Sequence, residues 1–207
     1  MPANANTTQA IRAQLALLPP GQPFCPSRFT GLGSRAAIDQ ALMRLKQAGH
    51  IDRIAHGLYA VPHTNRFGIK VLPSAEQIAH AIAQAEGARI DIHGAEAAHR
   101  LGLSTQVPAH AIFQTSGSPH QIRLGKLVIR LQHAAPRKLV LAGRPAGQAL
   151  SALWYLGRQH VTADTFRHLA HTLSSTEFDA LRQAQHLMPS WMAQALAAYE
   201  KHLPTHA

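Results

Sequence analysis

The N-terminal part of the chain places apolar side chains first at helical spacing and then in the alternation of short strands. A helix is predicted over Thr7–Leu18, where apolar residues recur on one face, and Pro19-Pro20-Gly21 ends it. Three short elements are predicted next: an extended piece at Phe24 and Cys25, a short helix around Arg28–Thr30, and a tight turn at Gly31-Leu32-Gly33.

A longer amphipathic helix is predicted over Arg35–Ala48, with Ser34 as its N-cap and Gly49 at its end. Its apolar face has four residues at helical spacing: Ile38, Ala41, Leu42 and Leu45. A hairpin that turns at Ala55-His56-Gly57 follows. The order helix, short helix, glycine turn, long helix and hairpin is typical of a winged helix-turn-helix, which we predict for residues 1–68.

A stretch rich in Pro, Asn and Gly over Pro62–Pro73 is predicted to link this domain to a second one, residues 69–207. Ser74 and Gln77 have the spacing of a capping box for a helix that runs to Ala85. Strands, one short helix and a hairpin are predicted between Arg89 and Gln132, and only helices are predicted from Gly147 onward. The predicted fold class is therefore α+β: an N-terminal winged helix-turn-helix, then a mixed α/β domain that ends in a helical tail.

The charge balance indicates a polyanionic partner. The 207 residues include 20 Lys and Arg against 10 Asp and Glu, a formal net charge of +10. The surplus lies in the first two thirds of the chain, and from Pro145 onward acidic and basic residues are balanced. Double-stranded DNA is the partner that this charge and the motif order together predict.

The long helix over Arg35–Ala48 is the predicted recognition helix, since its polar face carries side chains that donate to base edges and phosphates. Hairpin side chains are suited to phosphates or the minor groove. The residues predicted to contact DNA are Ser34, Arg35, Ala36, Asp39, Gln40, Arg44, Arg53 and His56. The alternative is an ordinary solvated amphipathic helix.

A second group of basic residues follows in the middle of the chain: Arg123, Lys126, Arg130, Arg137, Lys138 and Arg144. Alternation along the predicted hairpin around Gly125 would place some of them on one face of a strand pair. That face could hold DNA backbone, RNA or an acidic protein partner, including a toxin.

Several function classes have no signature in the sequence. The single cysteine, Cys25, excludes an internal disulfide, and the 15 histidines lack metal-ligand spacing, although His168 and His171 lie three apart. No nucleophile elbow or phosphate-binding glycine loop is present. We therefore expect no enzymatic activity, no cofactor and no metal. Without a signal peptide or a ~20-residue apolar run, a cytoplasmic location with no membrane contact is expected.

Several motifs resemble those of one family. The sequence LGSRAAIDQALMRLKQAGHIDRIAHGLY, within Gly31–Tyr59, is similar to the N-terminal winged helix of AbiEi-like antitoxins of type IV toxin–antitoxin and abortive-infection systems. The similarity continues in three further motifs: GAEAA at Gly94–Ala98, LGLSTQVP at Leu101–Pro108, and HAAPRKL at His133–Leu139. The resemblance implies a DNA-binding antitoxin that represses its own operon. It also implies that residues 69–207 neutralise a cognate nucleotidyltransferase-type toxin.

Two other functions remain open at this stage. One is a stand-alone winged-helix transcriptional regulator whose C-terminal domain senses a small ligand. The other is an enzyme that acts on nucleic acid, but the scattered acidic residues provide no paired carboxylates for a two-metal nuclease.

Overall fold

The computed structural model describes residues 3–201, with side chains from residue 6 onward. It is a mixed α+β protein with eight α-helices and two small sheets in this part of the chain. The chain divides into two compact units. The first contains the residues up to Ala88 together with Ile122–Ile129, and the second contains Arg89–Gln121 and the residues from Arg130 onward.

The first unit contains three helices and a three-stranded antiparallel sheet in the order β1-β3-β2. Its elements are α1 (Ala3–Leu15), β1 (Pro23–Phe24), a 3-10 helix (Pro26–Phe29), α2 (Arg35–Gln47), β2 (Asp52–Ala55), β3 (Leu58–Ala60) and α3 (Ala75–Ala85). The predicted order of helices and hairpin is confirmed. The first helix ends at Leu15, earlier than the predicted Leu18, because the N–H groups of Leu17 and Leu18 bond to carbonyls three residues back in tighter turns.

The core of the first unit forms between α1, α2 and the sheet. All four residues of the predicted apolar face of α2 are buried, together with Ile11 and Leu15 of α1. Aromatic rings close the core on the sheet side, since Phe24 packs edge-on against Phe29 at 5.5 Å and stacks with Tyr59 at 5.9 Å. Burial of these apolar surfaces holds α2 in place with its polar face outward.

The turn before α2 is fixed by a close approach to α1. The hydroxyl of the buried Thr7 donates to the carbonyl of Leu32 at 3.0 Å. A Cβ on Gly33 would lie 2.8 Å from that hydroxyl oxygen, so a larger residue at this position would push the turn away from α1. Thr7 and Gly33 therefore set where α2 begins.

The stretch predicted as a linker folds back on itself as a small hairpin. Thr64 and Lys70 form an antiparallel bridge, and the side chain of Asn65 accepts hydrogen bonds from the backbone N–H groups of Phe67 and Ile69. Lys70 is also paired with Asp52 of β2 at 2.6 Å. The domain boundary between residues 68 and 69 stays a prediction, and α3 belongs to the first compact unit.

The second unit combines the strands of a four-stranded sheet, ordered β4-β5-β7-β6, with five helices. The elements of this part of the chain are β4 (Ile90–Ile92), α4 (Gly94–Arg100), β5 (Ala111–Thr115), β6 (His120–Leu124), β7 (Leu127–His133), α5 (Pro145–Leu156), α6 (Ala163–Thr172), α7 (Ser175–Gln183) and α8 (Ser190–Lys201). The tip of the β6–β7 hairpin groups with the first unit. The predicted end of the last helix, His202, lies outside the described residues.

Helix α5 is the centre of the second unit and packs closely against α4. A Cβ on Gly94 would lie 2.4 Å from the carbonyl oxygen of Ser151, so only glycine allows this approach. The buried Ser151 hydroxyl donates to the carbonyl of Ile92 at 3.1 Å and thereby ties α5 to β4. The capping box predicted at Ser74 and Gln77 on α3 in the first unit is also confirmed.

Candidate nucleic-acid interface

Helix α2 is amphipathic, and its start is fixed by a side-chain cap. The Ser34 hydroxyl accepts a hydrogen bond from the backbone N–H of Ala37 at 3.3 Å. The helix has 13 residues and is therefore about 20 Å long. Its solvent-exposed residues are Arg35, Ala36, Asp39, Gln40, Met43, Arg44, Lys46 and Gln47.

One stripe of this exposed face borders a groove that the β2–β3 hairpin closes on its other side. We call it the α2–hairpin groove. Its volume is about 420 Å³, and it is lined by Pro26, Arg35, Asp39, Met43, Lys46, Gln47, Arg53, His56, Gly57 and Tyr59. The groove thus joins the outward stripe of a helix to the tip of a hairpin.

Positive charge predominates in the α2–hairpin groove. Three of its residues, Arg35, Lys46 and Arg53, are basic, and Asp39 is the one acidic residue that lines it. Arg53 and His56 are exposed on the hairpin. This arrangement can attract a polyanion from both the helix side and the hairpin side.

The hairpin tip depends on glycine. Gly57 has φ of +69°, which L side chains adopt at a cost of about 1–2 kcal/mol. The pairing of β2 with β3 shifts register between Arg53 and Ala55, and such irregularities re-aim side chains along a strand. Both features lie in the hairpin that contributes Arg53, His56 and Gly57 to the groove.

An exposed ion pair lies on the helix side of the groove. The Nε of Arg35 donates to Oδ2 of Asp39 at 2.9 Å, and the two side chains are 74% and 50% exposed. Because water screens such a pair, it contributes little to stability. Its consequence is geometric, since it restrains the direction of the guanidinium group.

The structure brings some of the predicted DNA-contacting residues together and separates others. Four of them line the groove: Arg35, Asp39, Arg53 and His56. Ser34 serves as the helix cap, with its hydroxyl engaged by Ala37. The remaining three, Ala36, Gln40 and Arg44, are exposed on the neighbouring stripe of α2, outside the groove lining.

Sequence reasoning missed other groove residues, chiefly Met43, Lys46, Gln47 and Tyr59. A signal for two of them was present, because Met43 and Gln47 continue the four-residue spacing that starts at Arg35 and Asp39. Tyr59 carried no such signal. Its ring is fixed by stacking on Phe24, which only the folded sheet shows.

The second group of basic residues divides between the two units. Arg123 and Lys126 belong to the first unit, and the other four belong to the second. Arg137 and Lys138 lie over the indole ring of Trp154, with the guanidinium carbon 5.0 Å and the ammonium nitrogen 4.9 Å from its centroid. These two cations are therefore partly occupied by a contact within the fold.

Arg144 has a structural contact at the start of α5. It donates to Oε1 of Glu177 at 2.8 Å, while Oε2 of the same carboxylate accepts from the backbone N–H of Ala146 at 2.9 Å. These hydrogen bonds, that of Arg144 first, lower the pKa of Glu177. The contact joins α7 to the first turn of α5.

A second cavity of the first unit, of about 380 Å³, contains the single cysteine. It is lined by Gln14, Phe24, Cys25, Ser27, Arg28, Ala81, Gln84 and Ala85. Burial, reinforced by the nearby Glu86 carboxylate, raises the pKa of the Cys25 thiol, which therefore stays protonated at neutral pH.

Two further structural findings concern metals and membranes. Among residues 3–201, no group of three or more His, Cys, Asp or Glu side chains is placed to hold a metal ion. His168, one of the paired histidines, bonds the backbone carbonyl of Leu101 through Nε2 at 2.7 Å. In the same part of the chain, no helix has the length and apolar character needed to span a bilayer.

The fold and the groove define a basic α+β protein with a polar, positively charged helix–hairpin surface. The chain belongs to the DUF6088 family, a family of unknown function, whose model matches residues 10–181. The search of curated proteins found no match. Among solved structures, the chain is similar to the crystal structure of the RV2827C protein from Mycobacterium tuberculosis. The two share 15% identity with a TM-score of 0.35, over 98% of this chain and 82% of the other.

Proposed function

We propose that the chain binds double-stranded DNA through a winged helix-turn-helix in its first unit, with α2 as the recognition helix and the β2–β3 hairpin as the wing. The observation that carries this proposal is the α2–hairpin groove, where three cations and one carboxylate line a helix stripe and the facing hairpin. The major groove of B-DNA is about 12 Å wide and admits one α-helix. Arg53, the groove cation on the hairpin, then lies where it can meet the phosphate backbone.

The stripe of α2 beside the wing is the part of the helix that we expect to face the base edges. It presents a guanidinium, a carboxylate and a thioether within successive turns, at Arg35, Asp39 and Met43. These groups can donate to, accept from and contact the apolar parts of bases, respectively. Gln40 and Arg44, on the adjacent stripe, are then better placed for phosphates at the rim of the DNA groove.

The test is a binding measurement on the full chain. Fluorescence anisotropy would use duplex DNA from the region upstream of the chain's own gene, with single-stranded DNA of the same sequence as a comparison. We expect tighter binding of the duplex. The double variant Arg35→Ala/Arg53→Ala should lose it, while Arg158→Ala, an exposed arginine of the second unit, should bind as the wild type does. Equal binding by both variants would contradict the proposal.

The biological role that we propose is autorepression by a cytoplasmic antitoxin of a type IV toxin–antitoxin system, with a nucleotidyltransferase-type toxin as its counterpart. Its support is the resemblance of LGSRAAIDQALMRLKQAGHIDRIAHGLY and LGLSTQVP to AbiEi-like antitoxins. In this proposal the groove represses the promoter, and toxin neutralisation resides outside the groove.

Co-expression of the full chain with an adjacent nucleotidyltransferase-like protein tests this role. The wild type should restore growth and silence a promoter reporter. The Arg35→Ala/Arg53→Ala variant should restore growth but leave the reporter active. Failure of the wild type to restore growth would contradict the antitoxin role and leave DNA binding standing. Loss of rescue in the folded double variant would contradict the separation of the two activities.

A further inference from the structure

The exposed ion pair between Arg35 and Asp39 has a consequence for which bases the groove can read. The contact uses Nε of Arg35 and one oxygen of Asp39, at 2.9 Å. Among the described residues, no other hydrogen bond, ion pair or ring contact engages either side chain. The terminal nitrogens of the guanidinium and Oδ1 of the carboxylate therefore remain open to a ligand.

An arginine can donate to guanine O6 and N7 in two ways, through Nε with one terminal nitrogen or through both terminal nitrogens. While Nε donates to Asp39, only the second way is open. It also restrains a long, flexible side chain in one direction, which lowers the conformational entropy lost on binding. The pair thus prepares an end-on, bidentate contact.

The position of the pair supports a role at base edges rather than in stability. Both side chains line the α2–hairpin groove at the N-terminal end of α2, the end that a recognition helix inserts deepest into the major groove. Their exposures of 74% and 50% mean that solvent screens the attraction between them, so the fold gains little from it.

We propose that Arg35 and Asp39 act as one reading unit for guanine in the major groove of duplex DNA, in which Asp39 positions Arg35. The free oxygen of Asp39 accepts from the exocyclic amino group of a neighbouring cytosine or adenine. This inference rests on the proposed function and adds the base that the groove selects.

The carboxylate of Asp39 has two opposite effects on DNA binding. It repels the phosphate backbone and so weakens binding to any sequence. It also orients Arg35 and so strengthens binding to the selected one. Replacing it with alanine should therefore raise affinity for random DNA and lower discrimination. If the carboxylate served only the helix, its removal would leave the discrimination between sequences unchanged.

The test begins with selection from a duplex library with a randomised central segment, using the full-length wild type, Arg35→Ala, Asp39→Ala and Glu96→Ala. Glu96→Ala is the matched control, because Glu96 and Arg100 form an ion pair of the same four-residue spacing, at 2.7 Å, in the second unit. Circular dichroism would establish that each variant is folded. Anisotropy then compares the selected duplex with one that carries 7-deazaguanine, which lacks N7, at the selected guanine.

We expect the wild type to select a guanine and to lose about fivefold or more in affinity with 7-deazaguanine, as a bidentate contact requires. Arg35→Ala should bind the two duplexes equally. For Asp39→Ala, the ratio of affinities for the selected duplex and the 7-deazaguanine duplex should be smaller than for the wild type, and random duplex should bind more tightly. Glu96→Ala should keep the wild-type ratio.

Two results of the anisotropy measurements would overturn the inference. In one, 7-deazaguanine lowers the affinity of Arg35→Ala as much as that of the wild type. In the other, it lowers the affinity of Asp39→Ala as much as that of the wild type. Selection of a consensus without such a guanine would also refute it but leave DNA binding intact. A wild type that binds no duplex would refute the proposed function as well.

Discussion

The wing arginine offers a sharp test of how the α2–hairpin groove engages DNA. Arg53 is exposed on β2, lines the groove and should lie on phosphate. In Arg53→Gln the side chain stays long and polar but loses its charge. We expect affinity to fall for specific and random duplexes alike, because a phosphate contact carries no sequence information.

The salt dependence of the affinity follows from the number of cations that contact phosphate. Of the groove cations, Lys46 and Arg53 are open to phosphate because Arg35 is assigned to a base edge, and Arg44 lies on the adjacent stripe of α2. With about three phosphates engaged, the plot of log affinity against log salt should have a slope of about −2.7, and each lost contact should reduce its magnitude by about 0.9. The ratio of wild-type to Arg53→Gln affinity should therefore shrink about 3.5-fold between ~50 and ~200 mM salt.

Fluorescence anisotropy with a labelled duplex across this salt range measures both quantities. Arg158→Gln is the control, since it removes one exposed positive charge from the second unit. A slope that is the same for Arg53→Gln and the wild type would refute the placement of Arg53 on phosphate. A flat salt response of the wild type would refute the electrostatic argument altogether.

Three further predictions concern the scaffold. Leu42→Ala, which empties a fully buried position on α2, should lower the free energy of unfolding by about 2–5 kcal/mol in urea titrations; a loss under ~1 kcal/mol would contradict the described core. Gly57→Ala should cost about 1–2 kcal/mol, owing to its φ of +69°, and an unchanged midpoint would show that the hairpin tip is not built this way. Burial and then the charge of Lys138 lower the pKa of His93, whose Nδ1 caps α4 by accepting from Ala95. As the pH falls, His93 is therefore protonated in the unfolded chain before it is protonated in the folded one. The free energy of unfolding should consequently fall as pH drops through the ordinary histidine value of about 6.5. His93→Asn, which keeps a cap acceptor, should remove that part of the pH dependence, and an identical pH profile would contradict it.

The sequence predicted α2 well because its signals are local. The apolar spacing, the Ser34 cap and the Gly49 end all lie within the helix or beside it, and the four residues of the predicted apolar face are buried. The same holds for the capping box of α3. Local chemistry suffices for such elements.

Which of the two exposed stripes of α2 faces the hairpin could not be predicted from the helix sequence, because it depends on residues outside the helix. Arg35, Asp39 and Met43 face the hairpin, whereas Gln40 and Arg44 lie on the other stripe, and this follows from where the folded hairpin lies. The stretch after Pro62 was predicted as a linker from its composition. Its folded form depends on the bridge between Thr64 and Lys70, a pairing that composition does not reveal.

The second basic group shows the same limit. Charge alone made Arg144 a candidate for a binding surface, but its partner Glu177 lies 33 positions further along the chain. Arg137 and Lys138 likewise lie over Trp154 of α5. Contacts between residues distant in sequence decide which cations remain open to a partner.

Amide hydrogen exchange of the full chain, with and without an upstream duplex, tests the central claim most directly, because it locates the interface. We expect DNA to slow exchange in α2 (Arg35–Gln47) and in the hairpin from Asp52 to Ala60, with α5 to α8 unchanged. Protection confined to the second unit, with none in α2 or the hairpin, would contradict the assignment of the α2–hairpin groove as the DNA-binding surface.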